Sequence, residues 1–256
     1  EEIWVATATL ARGPGHPFYR KLNELLAEAG FDRFVEGLCE PYYAKVGRPG
    51  IPPGVYFRML LVGYFENIET QRGIAWRCGD SMSLREFLGL RMGDAVPDHS
   101  SMTVIRRRLP GAVYEEVFRW VLGQLRGKGL LKGKALGVDA TTLEANAAMK
   151  AIVRRDTGQG WMAYLKDLAR AEGVAEPTAE QARRLDRRRK GKKVSNDDWH
   201  HPHDPDARNT KMKDGTTGRA YQAEHAVDLD TGAIVAATVA PGATGDTPTI
   251  RVTALE

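Results

Sequence analysis

This chain contains few cysteines and no long apolar runs. Its 256 residues include two cysteines, Cys39 and Cys78, which are far apart and show no CxxC spacing. Two reduced thiols are typical of a cytosolic protein and argue against a disulfide framework. No run approaches the about 18 consecutive apolar residues of a membrane-spanning helix, and the N-terminus lacks the basic-then-apolar pattern of a secretory signal. The sequence therefore predicts a globular protein of the cytoplasm.

The charge balance is nearly even. The chain carries 37 Lys and Arg against 33 Asp and Glu, which gives a net charge of +4 and a pI near 9.0. This small excess alone is weak evidence for a nucleic-acid partner, and the distribution of the charge says more. With 42% hydrophobic and 27% charged residues, the composition is that of an ordinary soluble protein with one to two domains.

Residues 16–130 carry helix signals and few strand signals. Apolar residues recur at helical spacing from Phe18 to Leu26, and Gly30 is a plausible stop. A second helix is predicted to begin after Ile51-Pro52-Pro53 and to run towards Asn67. Its apolar residues nearly encircle it, which indicates the buried centre of a bundle. Further helices are predicted at 71–77, 84–88, 101–109 and 113–125.

The helix predicted before Pro110 carries hydroxyl groups and arginines. Asp98 or Ser100 can cap it, and Met102, Ile105 and Leu109 share its inner face. The outward residues are Ser101, Thr103, Arg106, Arg107 and Arg108. Such a helix after a turn is what a helix-turn-helix places in the major groove of DNA. A solvated helix face that carries arginines for solubility explains the same pattern, so both interpretations stay open.

Strand signals begin at 136–142, where a short apolar run ends on Asp139 and is followed by Ala140, Thr141 and Thr142. Aspartate is a poor strand former, so a carboxylate at the end of an apolar strand indicates a functional role. The alternative is a strand-end residue that caps the following turn through Thr141 or Thr142. Two more strands are predicted at 219–229 and 233–240, joined by the turn at 230–232.

The segment between these strands, about 144–218, is polar. Helices are predicted at 162–171 and 180–185, followed by a basic run at 183–193. Eight basic residues in this run against Asp186 alone give a local charge of +7; they are Arg183, Arg184, Arg187, Arg188, Arg189, Lys190, Lys192 and Lys193. The run would dock on phosphates with a salt-dependent affinity. A flexible solvated linker and a nuclear-localisation signal are the alternatives.

The stretch from Trp199 to Asp206 holds three His and two Asp at 200–206. This invites a metal-site interpretation. However, the two prolines prevent a regular scaffold and no cysteine is near, so we interpret the stretch as a polar surface loop.

Cleavage and transfer of DNA strands are phosphoryl transfers, which two divalent cations about 3.5–4 Å apart can promote. Magnesium takes hard oxygen ligands, and the carboxylates must converge from different elements. Asp139 fits such a role. Asp228 would lie beside Asp139 only if their two strands pair. The presence of Asp230 is explained by the preference of turns for aspartate, and Asp246 best fits a helix N-cap.

Several motifs of this chain resemble those of DDE-type bacterial insertion-sequence transposases, a group named for two Asp and one Glu. The resemblance covers nearly the whole chain, and its pieces occur in the family's order. They are Arg48-Pro49-Gly50-Ile51-Pro52-Pro53, Pro97-Asp98-His99-Ser100-Ser101, Gly137-Val138-Asp139-Ala140-Thr141-Thr142-Leu143-Glu144-Ala145-Asn146, Asp204-Pro205-Asp206-Ala207-Arg208, Lys213-Asp214-Gly215, His225-Ala226-Val227-Asp228 through Thr231-Gly232, and Pro241-Gly242 through Gly245-Asp246.

The resemblance implies an α+β protein with a helical DNA-binding domain at 16–130. An incomplete ribonuclease-H-like α/β core would follow at 131–256, with an insertion at about 144–218. The family's second Asp and its Glu have no counterpart in this sequence, so the chain is expected to be truncated after Glu256, and Asp139 alone carries over as a catalytic, metal-binding residue. Mg²⁺ would complete a two-metal site only in the full protein.

Further implications concern DNA. Family members bind terminal inverted repeats of double-stranded DNA, act as dimers and cleave and transfer strands, which implies a bacterial, nucleoid-associated homodimer. The DNA contacts would come from Ser101, Thr103, Arg106 and Arg107, and from Arg187, Arg188, Arg189 and Lys190. The fragment is expected to be inactive alone. The alternative is a catalytically dead remnant that binds DNA and inhibits an intact transposase.

Overall fold

The described strands all lie after a helical first half of the chain, as the sequence pattern predicts. The computed structural model describes residues 15–44, 46–47, 50–190 and 194–243. The chain divides into two units, Glu1–Lys128 and Gly129–Glu256. The described part of the first is helical and that of the second is built around a sheet, which confirms the predicted α+β class.

In the helical unit, each helix begins or ends where the sequence carries a cap or a breaker. Pro17 and Pro53 lie in first turns, Gly30 takes a left-handed conformation (φ 69°) between two helices, and Thr70 and Asp98 accept backbone N–H groups as N-caps. The helices are α1 (Pro17–Glu28), α2 (Phe31–Cys39), α3 (Pro53–Phe65), α4 (Gln71–Asp80), α5 (Met82–Phe87), α6 (His99–Arg108) and α7 (Gly111–Gly127).

Helix α3 is the centre of the helical core, which confirms the prediction from its apolar pattern. Tyr56, Met59 and Val62 are fully buried. The C-terminal end differs, because Tyr64 is 74% exposed and Phe65 is also exposed. The helical unit therefore keeps aromatic surface at that end of α3 while its middle two turns are enclosed.

One charged residue, Arg58, is buried within α3. Its guanidinium forms a two-pronged ion pair with Asp32 of α2, with Nη2 2.9 Å from Oδ2, and its Nε donates to Asn23 of α1 at 3.0 Å. Gly54 makes room for this pair, since a Cβ there would collide with the Asp32 carboxylate. Arg58 thus ties three helices together from inside the core.

In the second unit, strand β5 is central. β1 pairs antiparallel along one side of it, and β4 and β6 pair antiparallel with successive stretches of its other side. The two predicted strands at 219–229 and 233–240 are confirmed as β5 and β6. The strands are β1 (Leu136–Glu144), β2 (Val153–Arg154), β3 (Trp199–His200), β4 (Arg208–Lys211), β5 (Thr217–Asp228) and β6 (Ile234–Pro241).

The polar segment between β1 and β5 folds around a small core of its own. Helices α8 (Trp161–Ala171) and α9 (Ala179–Arg188) confirm the two predicted helices, and β2 and β3 form a short ladder beside them. Trp199 is buried against the rings of Trp161 and Tyr164. α9 begins with a capping box, in which Thr178 and Gln181 exchange side-chain and backbone hydrogen bonds.

Candidate functional site

Asp139 lies inside strand β1, where it is the fourth of nine residues. The expectation that it ends the strand is therefore wrong, and so is the alternative that it caps a turn through Thr141 or Thr142. The physical reason is that the backbone continues to pair with β5 as far as Glu144, along a stretch that includes two β-branched threonines.

The surroundings of Asp139 are open. Its side chain is exposed, and its Oδ1 accepts the N–H of Ala140 at 2.9 Å. His225 of β5 lies directly opposite, on the same face of the sheet, and is also exposed. Paired residues of this kind have Cβ atoms about 5 Å apart. Sequence reasoning did not single out His225, because only the strand register brings it beside Asp139.

Asp228 does not lie beside Asp139, although their strands pair. It is opposite Leu136, three residues from Asp139, so the alternation of side chains places it on the other face of the sheet. Asp228 is fully buried, and its carboxylate accepts N–H groups from Gly133, Lys132 and Asp230. These bonds, chiefly those from Gly133 and Lys132, lower its pKa. They assign Asp228 a structural role.

The other carboxylates do not gather with Asp139. Glu224 is buried and, from its place in the register, points away from the Asp139 face. Asp246 lies outside the described residues. Within the ranges that the structure describes, no three His, Cys, Asp or Glu side chains come together as a metal site. Asp139 offers oxygen ligands of the kind that Mg²⁺ prefers, but these residues do not by themselves fit a two-metal centre.

The His- and Asp-rich stretch is more ordered than a polar surface loop, so that interpretation is wrong in part. Trp199 and His201 are buried. Asp204 accepts a hydrogen bond from the Tyr221 hydroxyl and one from the N–H of Ala207 at 3.3 Å. These contacts fasten the stretch to β5, because burial of its tryptophan and histidine outweighs the two prolines.

Helix α6 places its residues as the sequence predicts. Met102 and Ile105 face the core, and the next residue after the helix, Leu109, is buried as well. Arg106 and Arg107 are exposed, and no ion-pair partner for either is found among the described residues. Arg108 is exposed too, and its guanidinium lies 5.1 Å from the centre of the Tyr43 ring.

The two α6 residues predicted to contact DNA through hydroxyl groups, Ser101 and Thr103, already form hydrogen bonds within the protein. The backbone N–H of Ser101 donates to Asp98 at 2.7 Å, and the side chain is half-buried. The Thr103 hydroxyl lies 2.9 Å from the His99 carbonyl and 2.5 Å from the Gln71 side-chain oxygen in α4. Their assignment to DNA stays a prediction, and the arginines are the freer groups of this helix.

Helix α9 orders most of the basic run, so this part is not a flexible linker. Arg183, Arg184, Arg187 and Arg188 are all exposed, and their spacing places them on one helix face. The opposite face holds the buried Ala182. Sequence reasoning expected the whole run at 183–193 to dock on phosphates and named the residues at 187–190 as DNA contacts. Arg183 and Arg184 share the helix face of Arg187 and Arg188.

The residues just after this face differ from it. Arg189 is half-buried and lies 3.5 Å from the carboxylate of Asp186, whereas Lys190 is exposed. Arg189 is therefore the least available of the four residues predicted at 187–190. Lys192 and Lys193 lie outside the described residues.

Comparison with known families gives one finding, which falls on the helical unit. Residues 9–108 match the family model of a transposase domain (DUF772). The match ends at Arg108, the last residue of α6, and supports a transposase family for this chain. No curated protein and no solved structure matches the chain. Among the described helices, none is long and apolar enough to cross a membrane.

Proposed function

We propose that the chain is part of a DNA transposase that binds double-stranded DNA through arginine-rich helix faces. The observation that carries this proposal is the extent of the family match. The match spans α1 to α6 and ends at the three exposed arginines Arg106, Arg107 and Arg108. Arginines without carboxylate partners are available for phosphates, whose neutralisation releases counterions and dominates affinity for DNA.

In this proposal α6 takes part in recognising a DNA site, and the arginine face of α9 adds contacts that do not depend on sequence. The resemblance to insertion-sequence transposases supports terminal inverted repeats as the site, a homodimer as the binding form and the bacterial cytoplasm as the location. Arg106 and Arg107 would contact the phosphates beside the groove. Ser101 and Thr103 would face the bases only if their present hydrogen bonds are exchanged.

We assign Asp139 the role of one carboxylate ligand for a divalent cation. The order of β1, an insertion and then the β5–β6 hairpin supports a ribonuclease-H-like core, as does a carboxylate on its first strand. Among the residues of β1, β5 and β6 that share its face of the sheet, Asp139 is the only carboxylate. This observation favours a second candidate function, DNA binding without cleavage, by which the chain would compete with an intact transposase for the same ends.

The binding claim is tested with the double variant Arg106→Gln/Arg107→Gln. Fluorescence anisotropy with a labelled duplex carrying the inverted repeat of the encoding element should show weaker specific affinity than for the unmodified chain. The matched control is Arg33→Gln/Arg126→Gln, which removes two exposed arginines of the same unit. Equal losses in both variants would show that α6 has no special part in binding.

The cleavage claim is tested with supercoiled plasmid DNA and Mg²⁺. We expect no nicking by this chain, since one carboxylate cannot hold a two-metal site. Metal-dependent nicking that Asp139→Ala abolishes would contradict the second candidate function and favour the enzyme.

A further inference from the structure

Two arginines of the second unit converge on the Asn196 backbone carbonyl. This oxygen accepts a hydrogen bond from Arg155 Nε at 3.3 Å and another from Arg208 Nη1 at 3.2 Å. Arg155 follows β2, and Arg208 opens β4. Two guanidinium groups from distant parts of the sequence therefore converge on one atom.

A third guanidinium, that of Arg219, is held next to this point. It is 1% exposed, and its Nη1 donates to the Asn209 side-chain oxygen at 3.0 Å while its Nη2 donates to the Ala207 carbonyl. The side chain of Asn196 in turn exchanges hydrogen bonds with the backbone of Asn209. Hydrogen bonds of Asn196 and Asn209 thus hold the segment before β3 against β4 and fix the positions of all three arginines. We call these two residues the asparagine clip.

Two buried nitrogen atoms at this place have no partner among the described residues. They are Nε of Arg219 and Nδ1 of His200. Buried polar atoms are nearly always hydrogen-bonded in folded proteins, so each exception calls for a partner such as water or an ion. The pKa of His200 is lowered by burial and then by the charges of Arg155, Arg219 and His201.

The charge around these atoms is strongly positive. Asp204 is the carboxylate that acts on Arg219, and it already accepts hydrogen bonds from Tyr221 and Ala207. Arg155, Arg208 and Arg219 form no ion pair in the part of the chain that the structure describes. Burial and the charges of Arg208 and Arg155 lower the pKa of Arg219. An anion would relieve this repulsion, receive the Arg219 Nε–H and favour the protonated His200, whose Nδ1–H could then donate to it.

We propose that Arg155, Arg208, Arg219 and His200 form a binding site for a phosphate group, and that a phosphodiester of DNA occupies it. We call these four residues the anion cluster. Its exposure increases from the buried Arg219 through the half-buried Arg208 and His200 to the exposed Arg155, so the cluster reaches solvent at Arg155. The assignment to DNA rests on the proposed function, whereas the affinity for an anion does not.

Sulfate is the probe for the anion itself, because it remains a dianion throughout the titration of histidine. Nuclear magnetic resonance of the full chain would follow the His200 imidazole against pH in sulfate and in chloride at equal ionic strength. We expect sulfate to raise the pKa of His200. The double variant Arg155→Gln/Arg208→Gln should lose this effect, and the control Lys150→Gln/Arg170→Gln, which removes two exposed charges elsewhere in the unit, should keep it.

The assignment to DNA is tested by fluorescence anisotropy of a labelled duplex at several salt concentrations. Loss of one phosphate contact should reduce the slope of log affinity against log salt by about 0.9, equivalent to about tenfold weaker binding at 0.1 M salt. We expect this change in Arg155→Gln/Arg208→Gln and not in the control variant. Both substitutions are on accessible side chains, and circular dichroism of the variant confirms its fold before binding is measured.

The possible outcomes distinguish a failure of the anion cluster from a failure of the proposed function. A sulfate effect lost in the variant together with the reduced salt slope supports the proposal. A sulfate effect with an unchanged slope overturns the assignment to DNA. No sulfate effect and an unchanged slope overturn the site, while the unmodified chain still binds DNA and the proposed function stands. A sulfate effect in a chain that binds no DNA overturns the proposed function and leaves a site for free anions.

Discussion

At the residue scale, Asp139 and Asp228 show how strand register separates two carboxylates that the sequence presents alike. Three backbone N–H groups surround the buried carboxylate of Asp228, whereas the exposed Asp139 accepts a single one. A carboxylate saturated with local donors is structural, and one left open to solvent is free to meet a ligand.

For Asp228, we predict that Asp228→Asn loosens the segment at 131–133, because the charge-assisted bonds to Lys132 and Gly133 weaken. The pKa of Asp228 is lowered in the folded chain. Its stabilising contribution is therefore present above the unfolded pKa of about 3.9 and lost as the pH falls through the folded pKa. Amide hydrogen exchange of peptides covering 131–133 measures this. Unchanged protection in the variant would contradict the role given to Asp228, and Asp139→Asn is the matched control.

For Arg58, we predict that Arg58→Met lowers the free energy of unfolding of the helical unit by about 2–3 kcal/mol, since the charge-assisted bonds to Asp32 and the hydrogen bond to Asn23 are lost. Methionine keeps the unbranched chain and the helix propensity. Urea denaturation followed by circular dichroism provides the value, with Arg33→Gln as a surface control. A loss no larger than that of the control would show that the ion pair with Asp32 contributes little.

At the element scale, α9 carries like charges where a helix selected for stability alone would avoid them. Arg183 and Arg187, and likewise Arg184 and Arg188, lie four residues apart. Like charges at this spacing destabilise a helix by about 0.2–0.5 kcal/mol per pair. The macrodipole favours Arg187 and Arg188 in the last turn but gives no benefit to Arg183 and Arg184 nearer the start. The proposed DNA partner would account for the whole face.

We predict that replacing Arg183, Arg184, Arg187 and Arg188 by Gln weakens binding to repeat and scrambled duplexes alike and flattens the salt dependence, while the helix stays as stable or becomes more so. Anisotropy on both duplexes and thermal unfolding measure these effects. A loss confined to the repeat duplex would contradict a sequence-independent role. Four substitutions that leave binding unchanged would remove α9 from the interface.

The elements also show which features local sequence determines. Caps, breakers and periodicity were sufficient for α1, α3 and α6, since Gly30, Pro53 and Asp98 act within a turn of their own position. Helices α8 and α9 were also predicted, although the Thr178 cap of α9 was not. Strand β4 was missed because its four polar residues carry no alternation, and it exists through pairing with β5. The end of β1 was misplaced for the same reason.

The candidate site depended still more on distant contacts. The exposed arginines of α6 were predictable because helical spacing alone separates them from Met102 and Ile105. The pairing of Asp139 with His225 and the convergence of Arg155 with Arg208 were not, because residues far apart in the sequence meet only through sheet register and the asparagine clip. The local sequence pattern therefore predicts which face of a helix is exposed, whereas the candidate sites form only when residues distant in the sequence are paired in the fold.

At the scale of the whole molecule, the two units differ in how completely they enclose apolar surface. The helical unit buries a continuous core around α3. In the described part of the second unit, β1 pairs on one side only, and Leu143 and Val239 are 44% and 66% exposed on the Asp139 face of the sheet. Unpaired edges and exposed apolar patches favour association.

We predict that the chain melts in two steps or aggregates, with the helical unit the sturdier of the two. Differential scanning calorimetry with light scattering measures this, and hydrogen exchange identifies which unit opens first. A single cooperative transition of a monodisperse chain would mean that the sheet unit is more self-sufficient than its exposed edge and face indicate.

The central claim is that basic helix faces bind DNA, and its most direct measurement is the affinity of the unmodified chain for a labelled duplex as a function of salt. We predict binding at low salt that weakens linearly in log salt, with a shallower slope when α6 loses Arg106 and Arg107 and α9 loses its four exposed arginines. A chain that binds no duplex at low salt, or that binds with a slope unaffected by both sets of substitutions, would contradict the account.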